Sequence, residues 1–325
     1  MRKVKGWIFA VALLAGISMQ SPTYAKTAHK HTSETNLLMI NTYTHATNVG
    51  KQAFVTRRSI TAYETKNDQP DYQNPVQIPK NTALTVQQKL AGNAGYIITV
   101  PGNPNKLFFQ DTHDSLYSYK SIRNNAHEID KLTRSSLKWS KKLTGNQRHA
   151  IRYYTGDGYE AINDALRGSE KKASKKIRSD VKNINSGIHQ FKLSAPLTVF
   201  RGTSMFGLKK SLDDQGVKVG GEYSDMAYSS TTLKRMVALS FSKHVILKIN
   251  VPRGYHGAYI DPISKNKGEK EYLMNGGTKM IITRLQKGYT TMYATIAQKH
   301  SGSKTKVKHM TKQYKYWIVT LDLMK

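Results

Sequence analysis

The hydrophobic pattern of this chain changes its period twice, and this limits the folds open to it. Between about Leu37 and Gln110, short apolar runs alternate with turn residues, which is typical of β-strands. From about Ile122 to Phe191 the apolar residues recur at helical spacing. Beyond Pro196 the strand pattern returns. The sequence therefore predicts a small all-β module, SH3-like or a sandwich, followed by an α+β domain.

Four helices are expected in the middle of the chain. The first covers about 122–142, and Thr144-Gly145-Asn146-Gln147 is a capping-box pattern that opens the second. Gly156-Asp157-Gly158 breaks the second helix, and a short third helix runs from Tyr159 to Arg167 and ends at a glycine. A very basic fourth helix covers about 170–191. Strands are then expected at 197–201, 227–232, 245–249, 257–260, 279–283 and 314–323.

The first 25 residues have the three parts of a secretory signal peptide. Arg2, Lys3 and Lys5 form a basic start, an apolar run follows from Trp7 to Met19, and Ala25 supplies the small residue before cleavage. The apolar run is shorter than the roughly 20 residues that cross a bilayer, which favours a cleaved signal over a retained membrane anchor. We therefore expect a secreted protein, with residues 26–36 as a flexible lead-in and no transmembrane segment in the mature chain.

The composition narrows the chemistry and the partners. Cys is absent, which excludes disulfide scaffolds, Cys–zinc sites, iron–sulfur clusters and Cys nucleophiles. A formal net charge of +30 favours a polyanion, and for a secreted protein this is an anionic surface or cell-wall polymer; the alternative is that the charge serves solubility. No nucleic-acid-binding signature is present. His29 and His31 lack further ligands nearby, so no metal site is expected.

Three short motifs in the second domain carry groups suited to catalysis. Arg201 follows a predicted strand and precedes Gly202, so its planar guanidinium either binds a phosphate or is structural. Ser230-Thr231-Thr232 ends another strand, and its hydroxyls can bond a neighbouring strand or position a carboxylate. In Glu269-Lys270-Glu271, strand alternation places both carboxylates on one face, roughly 7 Å apart. Such a pair is either an exposed edge with Lys270 as counter-charge or two acids with separate roles.

Taken in this order, the three motifs resemble the arginine / Ser-Thr-Ser / Glu-x-Glu group of bacterial mono-ADP-ribosyltransferase toxins. This group includes the actin-modifying catalytic subunits of binary toxins and their Rho-modifying exoenzyme relatives. The helix at 154–167 and the segments at 251–254 and 257–260 also match. The resemblance covers about 120–325 and implies N-terminal helices plus two packed antiparallel-rich sheets. It further implies a secreted virulence enzyme that transfers ADP-ribose from NAD, as co-substrate, to a protein side chain without a metal.

The resemblance assigns the catalytic roles to three residues. Glu271 would hold the hydroxyls of the nicotinamide ribose and stabilise the oxocarbenium-like state, and Ser230 would orient it. Glu269 would take a proton from the incoming nucleophile. In this group a Glu at that position goes with arginine acceptors, whereas Gln goes with asparagine. We therefore expect an arginine-specific enzyme, with actin as one candidate acceptor.

The NAD-binding residues follow from the same resemblance. Arg201 would hold the NAD phosphates, Asn163 with Tyr154 or Tyr159 would line the adenosine and phosphate side, and Phe241 stands where relatives place an aromatic over nicotinamide. The full NAD-binding set is Arg201, Gly202, Asn163, Tyr154, Tyr159, Arg167, Thr231 and Phe241.

The chain also departs from the group. Its hydroxyl motif reads Ser-Thr-Thr, and the loop 262–268 lacks the aromatic residue with which relatives contact their target, so actin or Rho is not implied by that loop. Lys243 and His244 stand where an arginine is common, which would let hydrolysis of NAD compete with transfer. The β module is shorter than a binary-toxin adaptor and loosely resembles SH3-like wall-associated modules, so no pore partner is implied.

The expected organisation is a signal peptide at 1–25, a lead-in at 26–36, the β module at 37–114 and the transferase domain at 115–325. Two other functions stay open. One is an NAD glycohydrolase, and the other is a cationic cell-surface-binding protein whose transferase-like domain is inactive.

Overall fold

The computed structural model describes residues 34–48, 53–66, 69–90, 95–110, 115–117, 124–168, 172–213, 215–242, 244–299 and 306–324. The expected signal peptide, His29, His31 and Lys243 lie outside the described residues, as does most of the expected lead-in. Residues 34–36 of that lead-in begin the first strand.

The strands are β1 (Glu34–Asn48), β2 (Ala53–Thr56), β3 (Ile60–Lys66), β4 (Gln69–Ile78), β5 (Ala83–Lys89), β6 (Tyr96–Thr99), β7 (Leu107–Phe109), β8 (Leu116–Tyr117), β9 (Leu197–Thr203), β10 (Glu222–Tyr223), β11 (Ser229–Thr232), β12 (Val245–Val251), β13 (Ala258–Tyr259), β14 (Glu271–Met274), β15 (Met280–Lys299) and β16 (Lys306–Leu323). The helices are α1 (Ala126–Lys142), α2 (Gly145–Tyr153), α3 (Tyr159–Arg167), α4 (Lys175–His189), α5 (Met205–Lys210) and α6 (Arg235–Phe241). A π-helical turn, Tyr154–Gly158, joins α2 to α3. The α+β class expected from the sequence is thus confirmed.

The helix ends that local sequence patterns predict are present in the structure. Thr144 and Gln147 form the reciprocal capping box at the start of α2, and α3 ends with Gly168 as its C-cap. The fourth helix is shorter than expected, because Ser174 caps it and it begins only at Lys175. Helices α5 and α6 were not expected, since elements of six or seven residues are too short to show a helical period.

Strands β2 to β8 form a seven-stranded sheet in the order β4-β3-β7-β6-β5-β2-β8. Its apolar core includes Ile60, Ile78, Leu84 and Leu107, all nearly or fully buried. A second buried cluster joins Val55 and Tyr117 of this sheet to Ile281 of β15. Residues from Ala53 to Tyr117 thus contribute one sheet, which extends past the expected module boundary at 114 and packs against β15.

The first strand differs from expectation. The β module was expected to begin at Leu37, but β1 lies beside β15 in a nine-stranded sheet. The physical reason is length: β1 has 15 residues and β15 has 20, whereas the module strands have two to ten. Pairing with β15 provides backbone hydrogen-bond partners along more of β1 than a short module strand would.

The described chain divides into two compact units. The smaller unit comprises Met1–Thr47 and Lys287–Trp317, so its described part is most of β1 with the outer portions of β15 and β16. The larger unit comprises Asn48–Gln286 and Ile318–Lys325 and holds the seven-stranded sheet, all six helices and the motif-bearing strands.

The nine-stranded sheet runs in the order β1-β15-β16-β12-β9-β11-β14-β13, with β10 paired to β15. Strands β9, β11 and β14 are neighbours, and their pairings are antiparallel. Thr232 is in register with both Phe200 of β9 and Glu271 of β14. This order brings the arginine, hydroxyl and acid motifs side by side.

Candidate active site

Three adjacent strands each carry one motif. Arg201 lies within β9, which continues to Thr203, and not at the strand end as expected; Ser230 lies within β11. Glu271 is the first residue of β14. Because β11 pairs with both other strands, residues separated by up to 70 positions in sequence meet at one place in the sheet.

Glu271 is a buried carboxylate held by two hydroxyls. It is 5% exposed. The Ser230 hydroxyl donates to its Oε1 at 2.6 Å, and the Ser264 hydroxyl donates to its Oε2 at 3.4 Å. Burial raises the pKa of Glu271 to about 7, the two hydroxyls oppose that rise, and the charges of Glu269 and Asp261 add to it. Near neutral pH this carboxyl is therefore poised between its protonated and ionised forms.

The two acids of Glu269-Lys270-Glu271 do not lie on one continuous strand, so the expectation from strand alternation is wrong. The strand begins only at Glu271, and Lys270 has a φ of 56°, in the left-handed region. Asp261 imposes this turn, because its Oδ1 accepts the backbone N–H of Lys270 at 2.7 Å and that of Gly268 at 2.9 Å.

Glu269 is only half-buried, and it is tied to the hydroxyl motif through its backbone. The Thr232 hydroxyl donates to the Glu269 carbonyl at 2.5 Å. Burial, followed by the charge of Asp261, raises the pKa of the Glu269 carboxyl. The turn thus separates a buried acid from one that solvent and a second substrate can reach.

Asp225 connects two of the expected NAD-binding arginines. It accepts two hydrogen bonds from Arg167, at 3.0 and 2.8 Å, and lies 3.9 Å from Nη2 of Arg201. Burial by itself would raise the pKa of Asp225, but Arg167, the Ala227 N–H and Arg201 outweigh it and hold the pKa below its usual value. Arg201 also donates from Nη1 to the Ser230 carbonyl at 3.1 Å. Sequence analysis missed Asp225, which stands in no motif and is recognisable only from these contacts.

Tyr154 and Asn163 form a buried polar pair. Asn163 is 7% exposed and donates from Nδ2 to the Tyr154 hydroxyl at 3.2 Å. Burial raises the pKa of Tyr154 to about 12, so its hydroxyl stays protonated. Within the described residues, Oδ1 of Asn163 is buried without a hydrogen-bond donor. An unsatisfied buried acceptor costs roughly 1–3 kcal/mol, which a bound donor would recover.

Three other residues that were expected to bind NAD are exposed or are bonded to other parts of the protein. Tyr159 is 49% exposed and donates its hydroxyl to Glu160, and Phe241 is 66% exposed at the end of α6. Thr231 is buried and donates to the Tyr272 carbonyl at 2.6 Å. It therefore fastens β11 to β14.

Gly202 has a packing role next to Arg201. A Cβ added there would lie 2.2 Å from the Ala238 carbonyl oxygen and 2.9 Å from the Ser242 nitrogen. Only glycine lets the end of α6 approach β9 this closely. Helix packing thus explains the glycine that follows Arg201.

The loop Pro262–Gly268 is fastened to the π-helical turn, a contact that the sequence did not reveal. Thr155 accepts the Lys265 N–H on its hydroxyl at 3.0 Å and the Asn266 side-chain amide on its carbonyl at 2.9 Å. Arg152 adds a hydrogen bond to the Ile263 carbonyl at 3.0 Å. Since Ser264 belongs to this loop, the turn also positions the second hydroxyl on Glu271.

The described part of the chain contains no cluster of three or more His, Asp or Glu side chains that could hold a metal ion. Among the same residues, no helix is both long enough and apolar enough to cross a membrane.

Known proteins are similar to this chain over the region that holds the three motifs. A model of the ADP-ribosyltransferase exoenzyme family matches residues 133–316. The chain is 26% identical over 172 residues to NAD(+)–arginine ADP-ribosyltransferase EFV of Enterococcus faecalis, a match that covers 49% of this chain and 34% of that protein. It is 30% identical over 160 residues to NAD(+)–protein-arginine ADP-ribosyltransferase Tre1 of Serratia proteamaculans, which covers 49% of this chain and 33% of that protein. The chain therefore spans about a third of the length of these relatives.

Among solved structures, C3stau2 from S. aureus with NAD is 21% identical. The alignment covers 64% of this chain and 100% of that chain, with a TM-score of 0.47.

Proposed function

The chain belongs to the ADP-ribosyltransferase exoenzyme family, and from this premise we propose that it transfers ADP-ribose from NAD to an arginine of a target protein. The observation that carries the proposal is the buried Glu271, held by Ser230 at 2.6 Å, with Glu269 displayed two residues before it. The names of the relatives from Enterococcus faecalis and Serratia proteamaculans, which specify arginine, support the choice of acceptor.

The residues present suit NAD as co-substrate. Arg201 offers a planar guanidinium for the diphosphate, oriented by the Ser230 carbonyl and Asp225. Asn163 offers the buried, unsatisfied Oδ1 to a hydroxyl or amide donor of the dinucleotide. Tyr154 stays protonated and fixes the Asn163 side chain.

Glu271 then serves the cleavage step. Its ionised carboxylate accepts hydrogen bonds from the hydroxyls of the nicotinamide ribose. As the bond between ribose C1′ and the nicotinamide nitrogen breaks, that nitrogen keeps the electron pair and positive charge develops at C1′. A fixed carboxylate in a buried site stabilises such charge more than water does. The Ser230 and Ser264 hydroxyls hold it in place.

Glu269 serves the transfer step. A guanidinium nitrogen of the acceptor arginine forms the new bond to C1′, and its proton passes to Glu269. Because burial raises the pKa of this carboxyl, it is a stronger base than an ordinary glutamate. The products are ADP-ribosyl-arginine, neutral nicotinamide and the proton held by the enzyme.

The test uses purified protein, NAD labelled in its adenylate part and a eukaryotic cell lysate as the source of acceptors. We expect a labelled protein band whose modified residue, located by mass spectrometry, is arginine. Glu271→Ala should abolish the label while the protein stays folded. Modification of another residue type, or label that persists in Glu271→Ala, would contradict the proposal. If an acceptor emerges, actin is the first candidate to compare.

A second candidate is NAD hydrolysis without transfer. It is favoured by the partial exposure of Glu269, which lets water take the place of an acceptor, and by a loop 262–268 without an aromatic residue. In that case nicotinamide is released but no protein is labelled. The remaining alternative, a cationic surface-binding protein with an inactive transferase-like domain, predicts neither nicotinamide nor label.

Export is part of the same proposal. The N-terminal pattern of Arg2 to Ala25 supports secretion, and the net charge of +30 supports retention on an anionic surface or cell-wall polymer. Expression in a secreting host should release a protein that begins at Lys26. A cell-retained protein that keeps Met1 would contradict it.

A further inference from the structure

Five cations lie on the two segments that meet at Glu269, residues 232–235 and 265–270. They are Lys234, Arg235, Lys265, Lys267 and Lys270, which we call the acceptor rim. Two backbone-linked segments supply these residues, because the Leu233 N–H donates to the Lys270 carbonyl at 3.1 Å and the Thr232 hydroxyl donates to the Glu269 carbonyl at 2.5 Å.

Only part of this charge is compensated. Lys265 pairs with Asp157 at 3.4 Å, and Lys270 pairs with Asp261 at 3.6 Å. Within the described residues, the other three rim cations, Lys234, Arg235 and Lys267, make no ion pair, and both Lys234 and Lys267 are exposed. The rim therefore presents uncompensated positive charge beside the acid assigned to the acceptor.

The positive charge of the rim affects how an arginine acceptor approaches Glu269. An isolated guanidinium carries a positive charge and is repelled by the rim, which opposes the attraction of Glu269. An arginine with carboxylates beside it places those carboxylates against the rim cations while its own side chain reaches Glu269. Such complementarity raises the rate of encounter and suppresses wrong partners.

Resting on the proposed function, we propose that the acceptor is an arginine flanked by Asp or Glu on an acidic protein surface. Lys234 and Lys267 bind the flanking carboxylates. The rim is distinct from the residues assigned to the NAD phosphates. Arg201 lies on β9 against Asp225, whereas the rim residues flank Glu269 in sequence or follow the end of β11.

The experiment compares three peptides that differ only in the residues beside a single arginine: two Glu, two Ser or two Lys on each side. Transfer is measured as kcat/KM with labelled NAD at low and at high salt, and nicotinamide release is followed in parallel. We expect the Glu peptide to exceed the Ser peptide at least tenfold, and the Lys peptide to be the poorest. Salt should shrink these differences, because the rim lysines are exposed.

Reversing the charge of rim lysines tests whether the rim causes the preference for the Glu peptide. Lys234→Glu and Lys267→Glu should each lower the preference for the Glu peptide roughly threefold or more, and the double variant should remove it. Lys182→Glu is the matched control, because Lys182 is exposed on α4 and gives the same change in net charge. The control should keep the wild-type preference.

Equal rates on the three peptides, or a preference that survives the double reversal, would overturn the inference. Nicotinamide release without label on any peptide would also overturn it, and would favour hydrolysis. If no nicotinamide is released at all, the proposed function itself fails, and the inference fails with it.

Discussion

The Ser230 hydroxyl donates a 2.6 Å hydrogen bond to Oε1 of Glu271, across the antiparallel pair of β11 and β14. The bond is made to a carboxyl that is 5% exposed, so it acts in a medium where water cannot replace it. This hydrogen bond therefore fixes the orientation of the carboxylate and offsets part of the free-energy cost of ionising Glu271 in a buried site.

Ser230→Ala should move the pH dependence of catalysis upward. The hydroxyl lowers the pKa of Glu271, so its removal raises that pKa further above about 7. We expect kcat/KM for nicotinamide release to fall roughly tenfold at pH 7, because a hydrogen bond to a charged group is worth roughly 1.5–3 kcal/mol. The loss should be smaller at pH 9, where more of the Glu271 carboxyl is ionised. Ser230→Thr keeps a hydroxyl and should retain most of the activity. An equal loss at every pH would show that the bond does not control ionisation.

Glu271 should also make stability depend on pH. Its pKa is about 7 in the folded chain and near the ordinary glutamate value of 4.5 when unfolded, so the folded state binds more protons between these values. The free energy of unfolding therefore falls as pH rises through this window, by on the order of 3 kcal/mol from this residue. Urea unfolding of the wild type and of Glu271→Gln measures this contribution to the free energy of unfolding.

The two proteins should be compared at both ends of that window, because burial also raises the pKa of Asp322 to about 6 and adds a change of the same sign. Glu271→Gln should gain stability relative to wild type between pH 5 and pH 8. A constant difference between the two proteins would contradict the raised pKa.

Asp225→Asn should weaken NAD binding. The substitution removes the ion pair with Arg167 and the charge beside Arg201, so both guanidinium groups lose their orientation. Because the Arg167 side chain is 37% exposed, we expect only about a fivefold rise in KM for NAD, with kcat changed less. Asp130→Asn, which alters an exposed acid on α1, is the control. An unchanged KM would mean that Asp225 does not position the arginines.

Thr155→Val should uncouple transfer from hydrolysis. It removes the hydroxyl that accepts the Lys265 N–H and so loosens the loop that precedes Glu269. Transfer to an acceptor should fall about tenfold, since small displacements near reacting groups are costly, whereas nicotinamide release without acceptor should fall less. Thr155→Ser should restore transfer. Thr65→Val removes a hydroxyl bonded to a carbonyl in the β module and should change neither rate. Equal losses of both rates in Thr155→Val would indicate a merely structural role.

The parts of the fold that depend on neighbouring residues were predictable. The capping box of Thr144 and Gln147 and the end of α3 are local patterns, and the structure has both. The Ser230–Glu271 contact was expected only through the resemblance to known transferases, because the two residues are 41 positions apart.

The parts that depend on distant contacts were not predictable. The left-handed turn at Lys270 exists because Asp261, nine residues earlier, accepts its N–H, and no strand pattern reveals this. Asp225 and Thr155 stand in no motif and acquire their roles only when the sheet and the π-helical turn bring Arg167 and the loop 262–268 to them.

The most direct test of the central claim, that the two acids have separate roles, is to measure nicotinamide release and acceptor labelling side by side in Glu269→Gln and Glu271→Gln. We expect Glu269→Gln to release nicotinamide but to label no acceptor arginine, and Glu271→Gln neither to release nicotinamide nor to label an acceptor. Acceptor labelling that persists in Glu269→Gln, or nicotinamide release that persists in Glu271→Gln, would show that the two acids do not have these separate roles.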